Sequence, residues 1–406
     1  MKKIFILFFL VINSASYSQN EKNNFGISFS GFVKTDIIYD SRQTTAFREG
    51  HFLLYPANEN LDVNGKDINA KSNFNILSIQ TRLHGKITGP DAFGGTTSGA
   101  IEGEFFGTSD GDVNGFRLRH AYVKLDWDNT SLLIGQTWHP MFVLEMCPGV
   151  VSFNTGAPFQ PFSRNPQIRF SYSSHGLKLI FAAASQRDFT SSGPDGFSSS
   201  YLRNSVLPNL HAQVQYSNSG NLVGIGVDYK KLIPRLATTK KIIADNSISS
   251  ISAIGYAKLN FDPIIIKTEA VIGNNLADHL MLGGYAVKSL NTATGNEEYS
   301  PIGAYSVWGE ISTGEEIESA LFAGLTKNLG ADENLIGSYY GRGLNIDKLV
   351  RVSPRIQWNS GKTRIAAEVE YTSASYGTPN NLNKGKVENT KSISNLRLLI
   401  ALFYFF

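Results

Sequence analysis

Along most of this chain apolar and polar residues alternate with a period of two. Successive side chains of an extended strand face opposite sides, so such alternation predicts strands with one apolar and one polar face. The stretch FGISFSGFVKTDIIYD (25–40) shows it clearly: Phe25, Ile27, Phe29, Val33, Ile37 and Tyr39 sit at odd positions, and the charged Lys34, Asp36 and Asp40 are all even. In FNILSIQTRLHGKI (74–87) the expected apolar row is Leu77, Ile79, Thr81, Leu83 and Ile87, against Ser78, Gln80, Arg82, His84 and Lys86. GAIEGEFFG (99–107) sets Ile101 and Phe105 against Glu102 and Glu104. The same split isolates Arg169, Arg351, Arg355 and Arg364, each on the polar face of its segment. FRLRHAYVKLDW (116–127) breaks the rule: Arg117 and Arg119 have the parity opposite to Lys124 and Asp126, which calls for a bulge or an interfacial position for the latter pair.

Sixteen segments of this kind are centred near residues 33, 81, 103, 121, 135, 170, 181, 213, 226, 256, 268, 308, 322, 354, 368 and 399. Their connections alternate in length. Short ones such as SSHG, NSGN and NSGK contrast with long ones at 41–72, 139–165, 187–207, 274–301, 327–347 and 373–391. Alternating strands of about ten residues with short turns at one end and long loops at the other are the layout of bacterial outer-membrane barrels. The predicted fold is therefore all-β: a transmembrane antiparallel β-barrel of about sixteen strands. An even count places both termini on the periplasmic side. A secreted β-sandwich also alternates, but its polar face meets bulk water and carries many charges, whereas only 17% of these residues are charged.

The N-terminus sets the route. Lys2 and Lys3 precede the apolar run Ile4–Ile12 and the small polar stretch NSASYSQ, the layout of a cleaved secretory signal peptide over residues 1–18. One domain, 19–406, follows. Without Lys2 and Lys3 the chain carries 35 basic against 34 acidic residues, so no overall basic field calls for nucleic acid. Cys147 is the lone cysteine, which excludes an internal disulfide.

Sixteen strands leave an aqueous channel, where eight would fill with their own side chains. The candidate pore-lining and selectivity residues are Lys34, Asp36, Arg82, Lys86, Glu102, Glu104, Arg117, Arg119, Arg169, Arg351, Arg355 and Arg364. Arg82, Lys86, Arg117, Arg119 and Arg169 would form a basic ladder whose low-dielectric wall focuses the field. Pairing with Glu102, Glu104 and Glu368 to brace the wall is the alternative use of the same arginines. The connection 139–165, HPMFVLEMCPGVVSFNTGAPFQPFSRN, is too apolar for an exposed loop. It is read as a constriction loop folded into the barrel, with Glu145, Phe153 and Arg164 as its notable members.

The chain ends LRLLIALFYFF. Tyr404, Leu402, Ile400, Leu398 and Leu396 make one apolar row, so this is the closing strand, which pairs with the first to remove the free edges. Tyr404 and the terminal Phe406 form the expected signal for the β-barrel assembly machinery.

No GxSxG or HExxH is present, and the seven histidines are scattered, so no enzyme is expected. DVNGKD (62–67) and DGDVNG (110–115) faintly suggest calcium loops, but Asp, Asn and Gly are ordinary turn residues. No metal site and no cofactor are expected. Passive diffusion is the preferred function; an adhesin or receptor barrel without significant transport is the alternative.

GFVKTDIIYD (31–40), LRHAYVKLDW (118–127), LLIGQTWHPMF (132–142), MLGGYAV (281–287) and SVWGEI (306–311) resemble the DcaP-like porin family, particularly its Bacteroidetes members. The resemblance spans essentially the whole mature chain. It implies a Gram-negative outer-membrane porin embedded in lipid and lipopolysaccharide, a homotrimer with a third loop narrowing the pore, and passive uptake of small, often anionic solutes such as dicarboxylates. It makes Arg117 and Arg119 the foremost pore arginines. The helical extension that some members carry before the barrel has no counterpart here.

Overall fold

The computed structural model describes residues 25–244 and 246–406. The expected signal segment, 1–18, lies outside them. Among the described residues no helix is long and apolar enough to cross a membrane; the wall is built from strands. They are β1 (Gly26–Asp40), β2 (Asn73–Leu77 and Arg82–Thr88, interrupted), β3 (Thr96–Glu104), β4 (Arg117–Asp126), β5 (Thr130–Trp138), β6 (Arg164–Ser174), β7 (Leu177–Ala184) and β8 (Asn209–Asn218). The second half comprises β9 (Asn221–Leu232), β10 (Ile248–Phe261), β11 (Ile264–Asn274), β12 (Asn296–Thr313), β13 (Ile317–Ala331), β14 (Ile346–Ser360), β15 (Thr363–Asn380) and β16 (Lys386–Phe405). Each of the sixteen expected segments falls in one of them. Neighbours pair antiparallel, and β1 pairs with β16 from Phe32↔Phe405 to Asp40↔Arg397, which closes the barrel.

The alternation has the expected consequence. Phe29, Val33, Ile37, Ile225, Ile356, Leu398, Ile400 and Tyr404 all lie on the exposed outer face, while Lys34, Asp36, Glu104, Asp228, Arg351 and Arg397 are buried inside. This is the arrangement a hydrocarbon solvent requires, because lipid offers no partner to a polar group. At one end the turns are tight. His175–Gly176 and Ser219–Gly220 each place two successive residues at positive φ, matching the right-handed twist of their hairpins.

Two departures from strict alternation come from single extra residues. From Phe32 to Asp36, β1 advances four residues while β2 advances five, Arg82 to Leu77. The interruption at 78–81 therefore flips parity. Leu77 and Ile79, expected on the lipid face, turn inward and are buried, and Phe74 and Ile76 take the outer face. In β4 the register slips where Glu102 pairs with His120 and Gly103 with Leu118. Arg119 is the extra residue, so Arg117, Arg119 and His120 all turn inward and are buried. This is the bulge the parity conflict called for.

The long connections differ from expectation in content. Most of 373–391 is strand, since β15 and β16 extend to within a few residues of one another, and Gly283–Asn291 and Gly337–Arg342 add a short sheet beside β12. The third loop ends at 163, because Arg164 already begins β6. The lumen is not simply aqueous. Phe52 and Leu54 of the first loop, Met141, Phe142, Met146, Phe153, Phe159 and Phe162 of the third, and Leu280–Leu282 of the sixth form an apolar core inside the wall.

Candidate functional site: a paired arginine ladder beneath the third loop

The third loop crosses the barrel and is held on the far wall through its own backbone. The Gly149 N–H donates to Glu310 (2.8 Å), the Val151 N–H to Glu368 (2.5 Å), and the Asn154 side-chain amide to Glu370 (2.8 Å). In the other direction Lys34 donates to the Val151 carbonyl (2.9 Å), Lys267 to that of Cys147 (2.7 Å) and Arg351 to that of Ala157 (2.7 Å). Charge-assisted bonds of this kind contribute about 1.5–3 kcal/mol each, so the crossing is firmly tied. Gly324 leaves room for the Phe159 ring, which would stand 2.6 Å from any Cβ placed there.

The early strands carry the ladder. Glu104, fully buried, accepts from Arg82 (2.9 Å), Arg117 (2.8 Å) and Arg119 (2.6 Å). Glu102 accepts from Arg119 Nε (2.6 Å) and lies 3.1 Å from His84. Asp188, in the fourth loop, accepts from Arg117 (3.1 Å) and from two nitrogens of Arg164 (2.9 and 2.6 Å). Burial alone would raise the Asp188 carboxyl, yet the flanking Arg164 and Arg117 guanidiniums hold it below the ordinary aspartate range. Four guanidiniums meet three carboxylates, which leaves one net positive charge. Arg164 and Arg119 also lie over the Trp138 ring, 4.8 and 5.6 Å from its centroid, which gives the planar cations an apolar support.

Ladder and loop enclose a cavity of about 340 Å³. Arg82, His84, Glu102, Arg119 and His120 line it together with the aromatic rings of Trp138, Phe142, Phe153 and Phe162.

The remaining candidates are distributed around the wall. Lys34 pairs with Asp36 (3.0 Å), and Asp36 also meets His51 of the first loop (2.8 Å). Arg351 is buried and donates to Leu54 (2.8 Å) as well as Ala157, so it pins two loops. Arg355 pairs with Glu318 (2.6 Å) and Glu310 (3.4 Å). Arg169 bonds Gln167 (2.9 Å), and Arg364 bonds Asn359 (2.7 Å) beside the Phe403 and Phe405 rings. Lys86 and Glu145 are exposed, and Phe153 stacks on Phe106 at 4.0 Å within the apolar core. Tyr404 and Phe406 face outward at the seam. Glu368 takes no part in bracing the early arginines: it binds the third loop instead. Arg164 belongs to the ladder rather than to the loop.

Asp188 and the first loop were missed. Nothing local marks Asp188. The first loop did carry a signal, the apolar run Phe52–Tyr55 within a nominally exposed connection. The DVNGKD and DGDVNG stretches are turns whose aspartates accept protein groups, Asp62 from the Asn64 and Lys66 amides, Asp112 from the Thr108 hydroxyl and Asp110 from the Glu49 amide of the first loop.

A closed sixteen-stranded barrel, apolar outside and charged inside, with a loop across its lumen, defines an outer-membrane barrel of the porin fold. The family described as DcaP outer membrane protein matches residues 14–220, and the chain belongs to that family. Among solved structures it is similar to the outer membrane channel DcaP of Acinetobacter baumannii, with TM-score 0.68 and 17% identity over 94% of this chain and 97% of that one. The anion-selective porin from Comamonas acidovorans follows the same fold, with TM-score 0.55 and 13% identity over 94% of this chain and 100% of the other. So does the trimer form of OmpT from Vibrio cholerae, with TM-score 0.55 and 11% identity over 94% and 99%. No curated protein matches the chain.

Proposed function

We propose that this protein is a passive diffusion porin for small hydrophilic solutes, with a preference for anions of the dicarboxylate kind. The observation that carries the reading is the paired ladder beneath the third loop, where four arginines outnumber three carboxylates in a low-dielectric wall, with Arg82, Arg119 and Glu102 of that set facing the cavity. An anion passing there meets a focused positive potential. The channel and the anion-selective porin of similar fold point the same way. The trimeric form of OmpT supports a homotrimer. In this reading residues 1–18 are the cleaved signal, 19–406 the barrel and 139–163 the constriction, two residues shorter than the expected 139–165 because Arg164 begins β6. Outer-membrane lipid, lipopolysaccharide and the assembly machinery are the partners, and the five motifs favour a Bacteroidetes-type member of the family.

Reversal potentials in planar bilayers under a potassium chloride gradient test the proposal. An anion-preferring current is expected, reduced by added dicarboxylate. The apolar core inside the lumen favours a second reading, a receptor barrel with a closed interior. Absence of any conductance from folded protein would select it.

A further inference from the structure

Where the third loop leaves β5, three side chains that the pore does not use converge. His139 opens the loop, His211 comes from β8 and Asp228 from β9, and all three are buried. One ligating atom from each lies within 4.8 Å of the others. His139 Nε2 stands 3.5 Å from Asp228 Oδ1, and His211 Nδ1 stands 3.3 Å from the same oxygen. A zinc ion bound at 2.0–2.2 Å in tetrahedral geometry separates its donor atoms by roughly 3.4 Å. Two of the three edges are therefore of the right size, while the third, between the two imidazoles, extends to as much as 4.8 Å and must shorten when an ion binds.

The surroundings orient the donors. Asp228 Oδ2 accepts from the Asn209 amide (2.7 Å), which leaves Oδ1 turned to the histidines. His211 Nε2 lies 2.9 Å from the Gln213 carbonyl oxygen, so its proton sits there and Nδ1 can present a lone pair. Such outer contacts fix the tautomer of a metal-binding imidazole. His139 Nε2 is 2.7 Å from Asn209 Oδ1, and its Nδ1 takes only a long contact, 3.3 Å, from the Met141 amide. Loading an ion moves its proton to Nδ1 and gives up both the Asn209 and the Met141 contacts. A fourth donor is close: the His279 ring lies 4.8 Å from the His139 ring, its Nδ1 bonds Ser163 (2.9 Å), and its buried Nε2 has no hydrogen-bond partner.

We propose that His139, His211 and Asp228 form a binding site for a divalent transition cation of borderline softness, zinc being the probe, with His279 or water as the fourth ligand. Two imidazoles and a carboxylate suit such ions and not calcium, which takes six to eight oxygens. The ion would tie the root of the third loop to the wall.

The test uses the full chain purified from outer membranes in detergent. Protein is loaded with excess zinc sulfate and desalted, and metal is counted by plasma mass spectrometry, with a parallel calcium arm. About one zinc per chain is expected and no retained calcium. The His211→Gln and Asp228→Asn variants should lose at least tenfold of the retained zinc, and His175→Ala, in an exposed turn, should lose none. Heat-modified gel mobility confirms that each variant is folded. Wild-type protein that retains no zinc, or zinc that survives both ligand substitutions, overturns the proposal and leaves the cluster a hydrogen-bonded tether.

Discussion

Replacing Glu104 with Gln tests how the ladder acts. The carboxylate is fully buried and accepts from three guanidiniums at 2.6–2.9 Å. Gln keeps the shape and one acceptor oxygen but removes the charge, so the local balance rises from one net positive charge to two. An anion resting on Arg119 would lie about 6 Å from the lost charge. Coulomb's law gives about 0.7 kcal/mol at the dielectric of water and about 2.8 kcal/mol at an effective value of 20. That is about a three- to hundredfold gain in local anion occupancy. The chloride-to-potassium permeability ratio, taken from reversal potentials near 0.1 M salt, should rise at least about threefold. The gain should shrink at 1 M, where the screening length falls to about 3 Å. The opposite perturbation has the opposite sign: replacing Arg117 and Arg119 together with Ala leaves two guanidiniums against three carboxylates and should move the reversal potential toward cations. Removing one partner of a buried pair costs about 3–5 kcal/mol, so heat-modified mobility must confirm folded barrels. Folded, conducting Glu104→Gln channels with an unchanged ratio would refute the reasoning and leave the ladder as a brace alone.

Two further outcomes follow from the same geometry. Glu310→Gln with Glu368→Gln weakens two anchors of the third loop and should raise open-channel noise in single-channel records. Cys147 supplies an independent readout, because burial pushes its thiol from the ordinary 9.0 up to about 11. At pH 8 that leaves a thiolate fraction about a hundredfold lower than for an ordinary thiol. Maleimide labelling of the wild type should be correspondingly slow and quicken as pH approaches 11, while the double variant should label faster at pH 8; equal rates would mean the loop stays tied. Deleting Phe406 removes its two backbone bonds with Gly31, both 3.1 Å, and should lower barrel yield in cells more than refolding yield from detergent. Normal yield in cells would remove its role as an assembly signal.

Most of the wall could be read from the sequence because one physical demand repeats sixteen times. Each strand must show hydrocarbon to one side, and Phe29 with Lys34, or Ile356 with Arg355, obeys that demand locally. What escaped was set by single residues or by distance. One extra residue at 78–81 reversed Leu77 and Ile79, and both are apolar, so nothing in composition marked the reversal. The same device at Arg119 was legible, because there it moved a charge. Asp188 escaped because its partners Arg117 and Arg164 lie 71 and 24 residues away, and a loop aspartate looks the same whether it faces water or an arginine. The apolar runs in the first and sixth loops were visible but have meaning only once a closed lumen exists to receive them.

On the proposed reading, the ladder in that lumen both braces the wall and selects ions. A guanidinium in a low-dielectric wall needs a carboxylate nearby, since an unpaired buried charge is costly. A fully paired wall, however, presents no net charge to a passing ion. The four-to-three ratio of Arg82, Arg117, Arg119 and Arg164 to Glu102, Glu104 and Asp188 meets both conditions: every cation has a partner within 3.1 Å, and one positive charge remains in excess. The aromatic faces of Trp138 and Phe106 complete the arrangement, since Arg164 and Arg117 lie over them at 4.8 and 4.9 Å. Those contacts steady the cations without cancelling their charge. On the proposed reading, selectivity in such a wall is a property of the imbalance and not of any one arginine, and neutralising one of its carboxylates should change it as surely as removing one of its cations.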